Sequence, residues 1–145
     1  MQQQALSVLV AWMRLEGASD AFNQMLKKEF GLTGLQLSIL FVLAERPALP
    51  LAALRKTLLV HAATLGQAVD ALRTAGHCTV TRSPTDRRAR IVSLTPEGEA
   101  LLARLPLAGP TRLRQVKTDP ARLEQLARAL EDALELFALE SWVKR

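Results

Sequence analysis

The hydrophobic period of the chain changes at Gly76, and this change constrains the fold more than any other feature. Upstream, residues 62–75 place four apolar residues at helical spacing, which predicts a helix with one buried stripe: Leu65, Ala68, Val69 and Leu72. Downstream, Val80 with its neighbours and then residues 91–94 predict two strands. The turn-forming residues at 83–86 separate them. The chain therefore passes from a helix into a hairpin.

A second short helix is predicted just before the first. Residues 51–58 carry leucines on one face and follow a connector bounded by Pro47 and Pro50. A tight turn at 59–61 joins this helix to the one at 62–75. Two short helices joined in this way are typical of a helix-turn-helix, and the basic hairpin that follows completes the outline of a winged helix. The expected fold class is mainly α (α+β), with a two-stranded wing.

Long helices are predicted on both sides of this segment. Residues 5–30 have helical apolar spacing and end at Gly31, a residue suited to a helix C-terminus. Thr33 and Gln36 have the spacing of a capping box, so they open a further helix that runs to about residue 46.

The C-terminal third begins with threonine and proline at 95–96, which predict a new helix start. Prolines and a glycine within 106–110 must interrupt this helix. Asp119 followed by Pro120 opens the last helix by the same device. One face of that helix is predicted to carry Leu123, Leu126, Leu130, Leu134, Phe137 and Trp142.

The positive charge is concentrated in the middle of the chain. Residues 49–95 hold seven cations against two anions, which accounts for the whole net charge of +5. A concentrated basic patch favours a polyanionic partner, and the alternative is a solvated basic face without one. The cations are Arg55, Lys56, Arg73, Arg82, Arg87, Arg88 and Arg90.

Several classes of protein do not fit the composition. A single cysteine, Cys78, and two histidines far apart, His61 and His77, predict neither a disulfide framework nor a metal site. Aromatic residues at 4% are too few for a base-stacking sheet. No apolar run is long enough for a membrane span, and the opening residues lack a signal peptide's basic region, so a cytoplasmic location is expected.

Enzymatic function is not expected either. No nucleophile–base arrangement and no glycine-rich phosphate motif stands in a suitable context. His77 and Cys78 are neighbours on a predicted strand, so their side chains point to opposite faces. We expect Cys78 to be a buried structural residue rather than a redox sensor. No cofactor is predicted.

The wing segment resembles that of the MarR (multiple antibiotic resistance regulator) family of bacterial and archaeal transcription factors. The family pattern D-x-R-x-x-x-V-x-L-T is filled and then followed by the usual Pro-Glu-Gly: Asp86, Arg88, Val92, Leu94, Thr95, Pro96, Glu97 and Gly98. Residues 31–47 and 51–76 resemble the family's second helix and its helix-turn-helix. The resemblance covers roughly 31–105 closely.

The resemblance implies one MarR-like domain over residues 1–145 that forms a homodimer on double-stranded DNA. Residues 1–30 and 96–145 would be the dimerisation helices, and residues 31–95 the DNA-binding lobe. It also implies a sequence-specific transcriptional regulator, a ligand-responsive repressor whose effector is a small aromatic or phenolic molecule. The alternative is a winged-helix protein-interaction scaffold with only non-specific DNA binding.

For the wing, the resemblance makes Arg88 the principal DNA contact. Asp86 is expected to orient Arg88 through a charge-assisted hydrogen bond, and the alternative is an exposed surface ion pair of little consequence. Arg82, Arg87 and Arg90 are expected to be phosphate contacts or freely solvated charges.

For the recognition helix at 62–75, the expected contacts are Thr64, Gln67, Ala63 and His61. Gln67 can bond adenine in bidentate fashion, and Thr64 can meet a phosphate or a thymine methyl. Further phosphate candidates are Arg55, Lys56 and Arg73.

The chain departs from the family pattern in the helix-turn-helix. His61 stands where a hydroxyl residue is usual and is expected to cap the helix poorly, while donating to phosphate when protonated. Leu59 replaces the turn glycine. Gly66 lies inside the recognition helix, where it costs about 1 kcal/mol relative to alanine. With its neighbours Ala62 and Ala63, it leaves the reading face nearly bare.

Overall fold

In the computed structural model, which describes residues 1–143, helices occupy both ends of the chain and three short strands lie between them. The chain divides into two compact units, Met1–Gly109 and Pro110–Arg145. The last two residues of the predicted dimerisation segment 96–145, Lys144 and Arg145, lie outside the described residues. The first unit contains α1 (Gln2–Met25), α2 (Gly34–Glu45), β1 (Ala48–Pro50), α3 (Leu51–Leu58), α4 (Ala62–Thr74), β2 (Cys78–Arg82), β3 (Arg90–Leu94) and α5 (Pro96–Arg104).

The first helix is the long one that the apolar spacing predicted. It begins at Gln2, three residues earlier than expected, and continues after Met25 into a five-residue π-helical turn, Leu26–Phe30. Gly31 ends it in the left-handed region, with φ of 67°. That conformation favours glycine, which explains the position of the predicted stop.

Two threonine caps fix the starts of α2 and α5, and both were predicted. The hydroxyl of Thr33 accepts from the Gln36 amide at 3.2 Å, and the Gln36 side chain accepts from the Thr33 amide at 2.9 Å. This reciprocal pair is the capping box. Thr95 Oγ1 accepts from the Gly98 amide at 3.0 Å and donates to the Gly76 carbonyl at 2.7 Å. Thr95 therefore also ties α5 to the end of α4.

The sheet has three antiparallel strands in the order β1-β3-β2. β2 and β3 form the predicted two-stranded wing, with Val80 opposite Val92. The segment predicted as a plain connector between Pro47 and Pro50 is instead β1, in which Leu49 pairs with Val92. Because Leu49 is buried, β1 contributes a core side chain as well as a strand edge.

The core of the first unit is built around α2. Four of its apolar side chains are almost fully buried: Leu37, Ile39, Leu40 and Leu43. The predicted stripe of α4 joins the same cluster through Leu65, Ala68, Val69 and Leu72. Each fully buried leucine contributes about 2 kcal/mol of transfer free energy. The inner side of α4 is thereby fixed, so the opposite side is presented to solvent.

The second unit contains α6 (Pro120–Leu136), which starts as predicted because Asp119 accepts from the Ala121 amide at 3.1 Å. The helix ends earlier than its apolar pattern indicated. Ala138 adopts a left-handed conformation, with φ of 55°, just after the last turn. Phe137 and Trp142, predicted on the face of this helix, therefore lie beyond Leu136, and Trp142 belongs to a short 3₁₀ turn.

Within residues 1–143, no helix is both long enough and apolar enough to span a membrane.

Candidate nucleic-acid interface

The turn between α3 and α4 contains Leu59, the residue that replaces the family's turn glycine, and its backbone is strained. Leu59 has φ of 53° and ψ of 44°, in the left-handed region. Its side chain is 88% exposed, so packing does not explain the choice of leucine. The backbone here keeps the conformation that suits a glycine although the residue is leucine.

His61 is the N-cap of α4, and the expectation that it caps poorly is wrong. Its Nδ1 accepts a hydrogen bond from the Ala63 amide at 3.3 Å. The imidazole thus satisfies one of the free amides at the helix start, as a hydroxyl does elsewhere. Nδ1 is engaged with the helix start, so Nε2 is the ring nitrogen left for a phosphate.

The outer face of α4 is exposed and carries few hydrogen-bonding groups. Ala63, Thr64 and Gln67 are exposed, as their predicted role requires. The helical period adds Asp70 and Thr74 to the same face, since they follow Gln67 by three and seven residues. Asp70 is not among the DNA contacts that the sequence predicts for this helix.

Asp70 forms an ion pair with Arg73 one turn later in α4. The Arg73 guanidinium donates through Nη2 at 2.5 Å and Nε at 3.1 Å to the same oxygen, Oδ1. The hydrogen bond and the negative charge of Asp70 raise the pKa of Arg73 above its ordinary value. Arg73, predicted only as a phosphate contact, is therefore held in place by a carboxylate. The i, i+3 spacing of opposite charges was the signal for this pair.

The wing loop is shaped by hydrogen bonds from side chains to the backbone. Ser83 Oγ accepts from the amides of Thr85 and Asp86, both at 3.3 Å. Asp86 Oδ1 accepts from the backbone amide of Arg88 at 3.0 Å. The prediction that Asp86 orients the Arg88 guanidinium is thus wrong in its detail, because Asp86 holds the main chain of Arg88.

The Arg88 side chain itself is exposed. Within residues 1–143 its guanidinium forms no ion pair with a carboxylate, which removes the alternative of a surface ion pair. The loop backbone is fixed while the charged end of the side chain remains available. Arg87, next to it, is exposed as well.

Arg82 and Arg90 face each other across the wing. They are register partners in the β2–β3 pair, so their side chains leave the same face of the sheet. Like charges directly opposite one another are destabilising. In the described part of the chain neither arginine is paired with a carboxylate. A bound anion would relieve this repulsion.

All seven cations of residues 49–95 are exposed, and all lie in the first unit. Arg55 and Lys56 are in the last turn of α3, just before the helix-turn-helix turn. The basic segment therefore supplies solvent-accessible charge on both helices of the motif and on the wing.

Cys78 is buried at the start of β2, as predicted. It is 2% exposed, and its Sγ donates to the Val69 carbonyl at 3.8 Å. Burial raises the pKa of the thiol, and the charge of Arg73 opposes this less strongly. A buried protonated thiol is a poor nucleophile. Across residues 1–143 no three His, Cys, Asp or Glu side chains are grouped so that they could hold a metal.

Comparison with known proteins gives a consistent family. A sequence model described as MarR family matches residues 30–89, which span α2, the helix-turn-helix and the wing loop. No curated protein matches the chain.

Solved structures of transcriptional regulators are similar to almost the whole chain. Sco3205, a MarR family transcriptional regulator from Streptomyces coelicolor in complex with DNA, is 26% identical with a TM-score of 0.65, over 90% of this chain and 87% of that one. BldR from Sulfolobus solfataricus is 25% identical with a TM-score of 0.63, over 89% and 96%. BpsR from Bordetella bronchiseptica, whose DNA binding is regulated by 6-hydroxynicotinic acid, is 24% identical with a TM-score of 0.58, over 84% and 96%.

Proposed function

Because the chain belongs to the MarR family of winged helix-turn-helix transcriptional regulators, which are not enzymes, we propose that it is a ligand-responsive repressor. It acts in the cytoplasm as a homodimer on a specific double-stranded operator. The observation that carries the proposal is the exposed side chain of Arg88 in the wing loop. Asp86 fixes the backbone of this loop by accepting a hydrogen bond from the Arg88 amide. A fixed backbone with a free guanidinium is suited to insertion into a narrow minor groove.

The proposed docking places α4 in a major groove and the wing in the flanking minor groove. The major groove is wide enough for one helix, and the outer face of α4 presents Thr64 and Gln67 to base edges. In this docking Nε2 of His61, at the start of the helix, contacts a phosphate. Arg55 and Lys56 add further phosphate contacts. On this proposal residues 31–95 are the DNA-binding lobe.

Dimerisation is proposed through α1 and the C-terminal helices. Apolar side chains along residues 6–15 are between 36% and 60% exposed, including Trp12 and Met13. On α6, Leu126 and Leu130 are 46% and 48% exposed. Exposed apolar surface of this extent marks an interaction site. A second copy is the proposed occupant, and it would present two copies of α4 about one DNA turn apart.

The proposed effector is a small aromatic or phenolic molecule. BpsR, a protein of the same fold, responds to an aromatic acid of this kind. An effector releases DNA only if it binds more tightly to a form whose two recognition helices are wrongly spaced. Candidate molecules are therefore tested for their ability to dissociate a preformed complex with DNA.

The decisive experiment compares two duplexes of equal length. One is the DNA upstream of the protein's own gene, and the other is its scrambled sequence. Binding is measured at low and at physiological salt for the wild type, Arg88→Ala and the control Arg104→Ala, an exposed arginine on α5. We expect the wild type to prefer the upstream DNA by at least about a hundred-fold at physiological salt. Arg88→Ala should lose that preference, and Arg104→Ala should keep it.

The second candidate function is a protein-interaction scaffold, favoured by the sparse outer face of α4. If the wild type binds both duplexes alike and releases both as salt rises, the interaction is only phosphate electrostatics. That result would replace the repressor proposal with the scaffold, provided that duplexes tiled across the neighbouring genes behave in the same way.

A further inference from the structure

Asp70 is a carboxylate in a segment that is otherwise rich in cations. Residues 49–95 hold two anions, and the other one, Asp86, fixes the wing loop. Asp70 lies one helical turn after Gln67 on the outer face of α4, and its side chain is 65% exposed. Because the side chain is not buried, packing does not explain the residue. A carboxylate on this face also weakens the attraction to phosphates that governs non-specific binding.

The ion pair with Arg73 leaves one oxygen of Asp70 free. Nε and Nη2 of Arg73 both donate to Oδ1, at 3.1 and 2.5 Å. Within residues 1–143 no hydrogen bond reaches the second oxygen, Oδ2. The pair is exposed on both sides, so it contributes little to the stability of the fold. Arg73 therefore holds the carboxylate in one orientation while leaving it an available acceptor.

The same pair sets the charge of the recognition helix. The segment Ala62–Thr74 contains one anion and one cation, and these are Asp70 and Arg73. In the proposed docking, the helix that enters the major groove thus brings no net charge from these two residues. The attraction to phosphates is left to the cations of α3 and the wing. The contribution of α4 then depends on the base edges that it meets.

Cytosine has the major-groove edge that suits a free carboxylate oxygen. Its N4 amino group is a donor, and no acceptor lies beside it on the same base. Guanine and thymine present acceptors, and the N6 donor of adenine stands beside the acceptor N7. A carboxylate oxygen that displaces water without gaining a donor costs free energy. Oδ2 of Asp70 can therefore favour cytosine and penalise the other three bases.

We propose that Asp70 is a specificity-determining residue whose Oδ2 accepts a hydrogen bond from the N4 amino group of a cytosine in the operator. Arg73 is its positioning residue. The inference rests on the proposed docking of α4 in a major groove. Gln67 and Asp70 are about 4.5 Å apart along the helix, and successive base pairs are about 3.4 Å apart. The cytosine is therefore expected within two base pairs of the adenine assigned to Gln67.

The test compares Asp70→Asn with a matched control, Glu124→Gln. Glu124 pairs with Arg128 on α6 and is 66% exposed, so the control removes the same charge from a similar ion pair. Both variants should fold, with Tm within about 2 °C of the wild type. Affinity for the upstream and the scrambled duplex is measured at physiological salt.

Asp70→Asn should reduce the preference for the upstream duplex at least about tenfold, whereas Glu124→Gln should keep it. Most of the change should be tighter binding of the scrambled duplex. Asparagine both donates and accepts, so it tolerates base edges that a carboxylate rejects.

The base is identified by replacing each C·G pair of the bound segment with T·A, which puts the acceptor O4 in the place of the N4 donor. At one or more of these pairs the wild type should lose at least about tenfold in affinity, and Asp70→Asn less than about threefold. Arg73→Gln should reduce the wild-type loss at the same pair, and Arg73→Lys should restore most of it.

Three results would overturn the inference. If Asp70 serves only to hold Arg73, Asp70→Asn binds both duplexes more weakly by the same factor, and no C·G pair distinguishes it from the wild type. If Asp70 acts only through its charge, the variant binds both duplexes more tightly by the same factor, again without such a pair. Equal wild-type affinity for the two duplexes is a separate outcome, which refutes the proposed operator specificity and this inference with it.

Discussion

Leu59 occupies a backbone conformation that a leucine avoids, and replacing it should stabilise the protein. Its φ of 53° lies in the left-handed region, where Cβ approaches the following carbonyl oxygen. The side chain offers no compensation, because it is 88% exposed. Leu59→Gly removes the steric cost at the turn between α3 and α4 without disturbing the core.

The expected gain follows from three contributions. An L-residue in the left-handed conformation costs about 1–2 kcal/mol, which glycine removes. Glycine also lowers the free energy of unfolding by about 0.5–1 kcal/mol, because it gives the unfolded chain more conformational freedom. The buried fraction of the leucine is small, so its loss costs about 0.2 kcal/mol. The net stabilisation is about 0.5 kcal/mol, or about 2 °C in Tm for a chain of this length.

The assay is urea unfolding followed by circular dichroism, with Leu59→Ala as the control. Alanine keeps Cβ and therefore the strain, while removing the same exposed side-chain atoms. We expect Leu59→Gly to be more stable than Leu59→Ala by about 0.5–1 kcal/mol, with unchanged m-values. Equal stability of the two variants, or a glycine variant less stable than the wild type, would refute the argument from backbone strain.

Three further predictions concern the junction of α4, β2 and α5. Gly98→Ala should cost about 2–3 kcal/mol in urea unfolding, because the added Cβ would collide with the backbone carbonyl of His77; a loss below about 0.5 kcal/mol would contradict the packing. Thr95→Val should cost about 2 kcal/mol, since it removes the helix cap and the hydrogen bond to the Gly76 carbonyl, and Thr95→Ser should recover most of it. Cys78 should resist iodoacetamide in the folded protein at pH 8 and react in urea. Because the pKa of its thiol is raised in the folded protein, the free energy of unfolding should fall as pH rises above the ordinary thiol value near 8.5. Cys78→Ala should lack that fall.

The helices of this chain were predictable because their starts are encoded locally. Thr33, Thr95 and Asp119 each accept a hydrogen bond from an amide two or three residues later. Such caps depend on a few neighbouring residues and on no distant partner. The stop at Gly31 is of the same kind, since a left-handed φ needs only the glycine itself.

The errors arose where a distant or unexpected partner decides the structure. β1 is three residues long and is a strand only because Leu49 pairs with Val92, more than forty positions later. No local pattern marks such a short strand between prolines. The end of α6 was placed too late because the apolar spacing continues past Leu136, whereas the backbone turns at Ala138. A non-glycine residue in that conformation leaves no signal in the sequence.

At the interface, residue types were easier to predict than their hydrogen bonds. Asp86 was rightly connected with Arg88, but the spacing of two residues does not say whether a carboxylate reaches a side chain or an amide. The structure shows the amide. His61 was judged against the usual hydroxyl caps, although an imidazole nitrogen is also an acceptor. Spacing thus identifies neighbours, and side-chain geometry decides which of their atoms meet.

The outer face of α4 limits how this protein can recognise a sequence. Gln67 is the one residue among the predicted helix contacts that can read a base in bidentate fashion, and such a contact is worth about 1–3 kcal/mol. In the proposed dimer two copies of this contact would supply about 2–6 kcal/mol, whereas specific binding usually exceeds non-specific binding by about 4–10 kcal/mol. If the proposed operator specificity holds, part of the remaining free energy would come from DNA shape. The proposed insertion of Arg88 into a narrow minor groove is suited to read that shape, so we expect A·T-rich steps beneath the two wings of the proposed dimer.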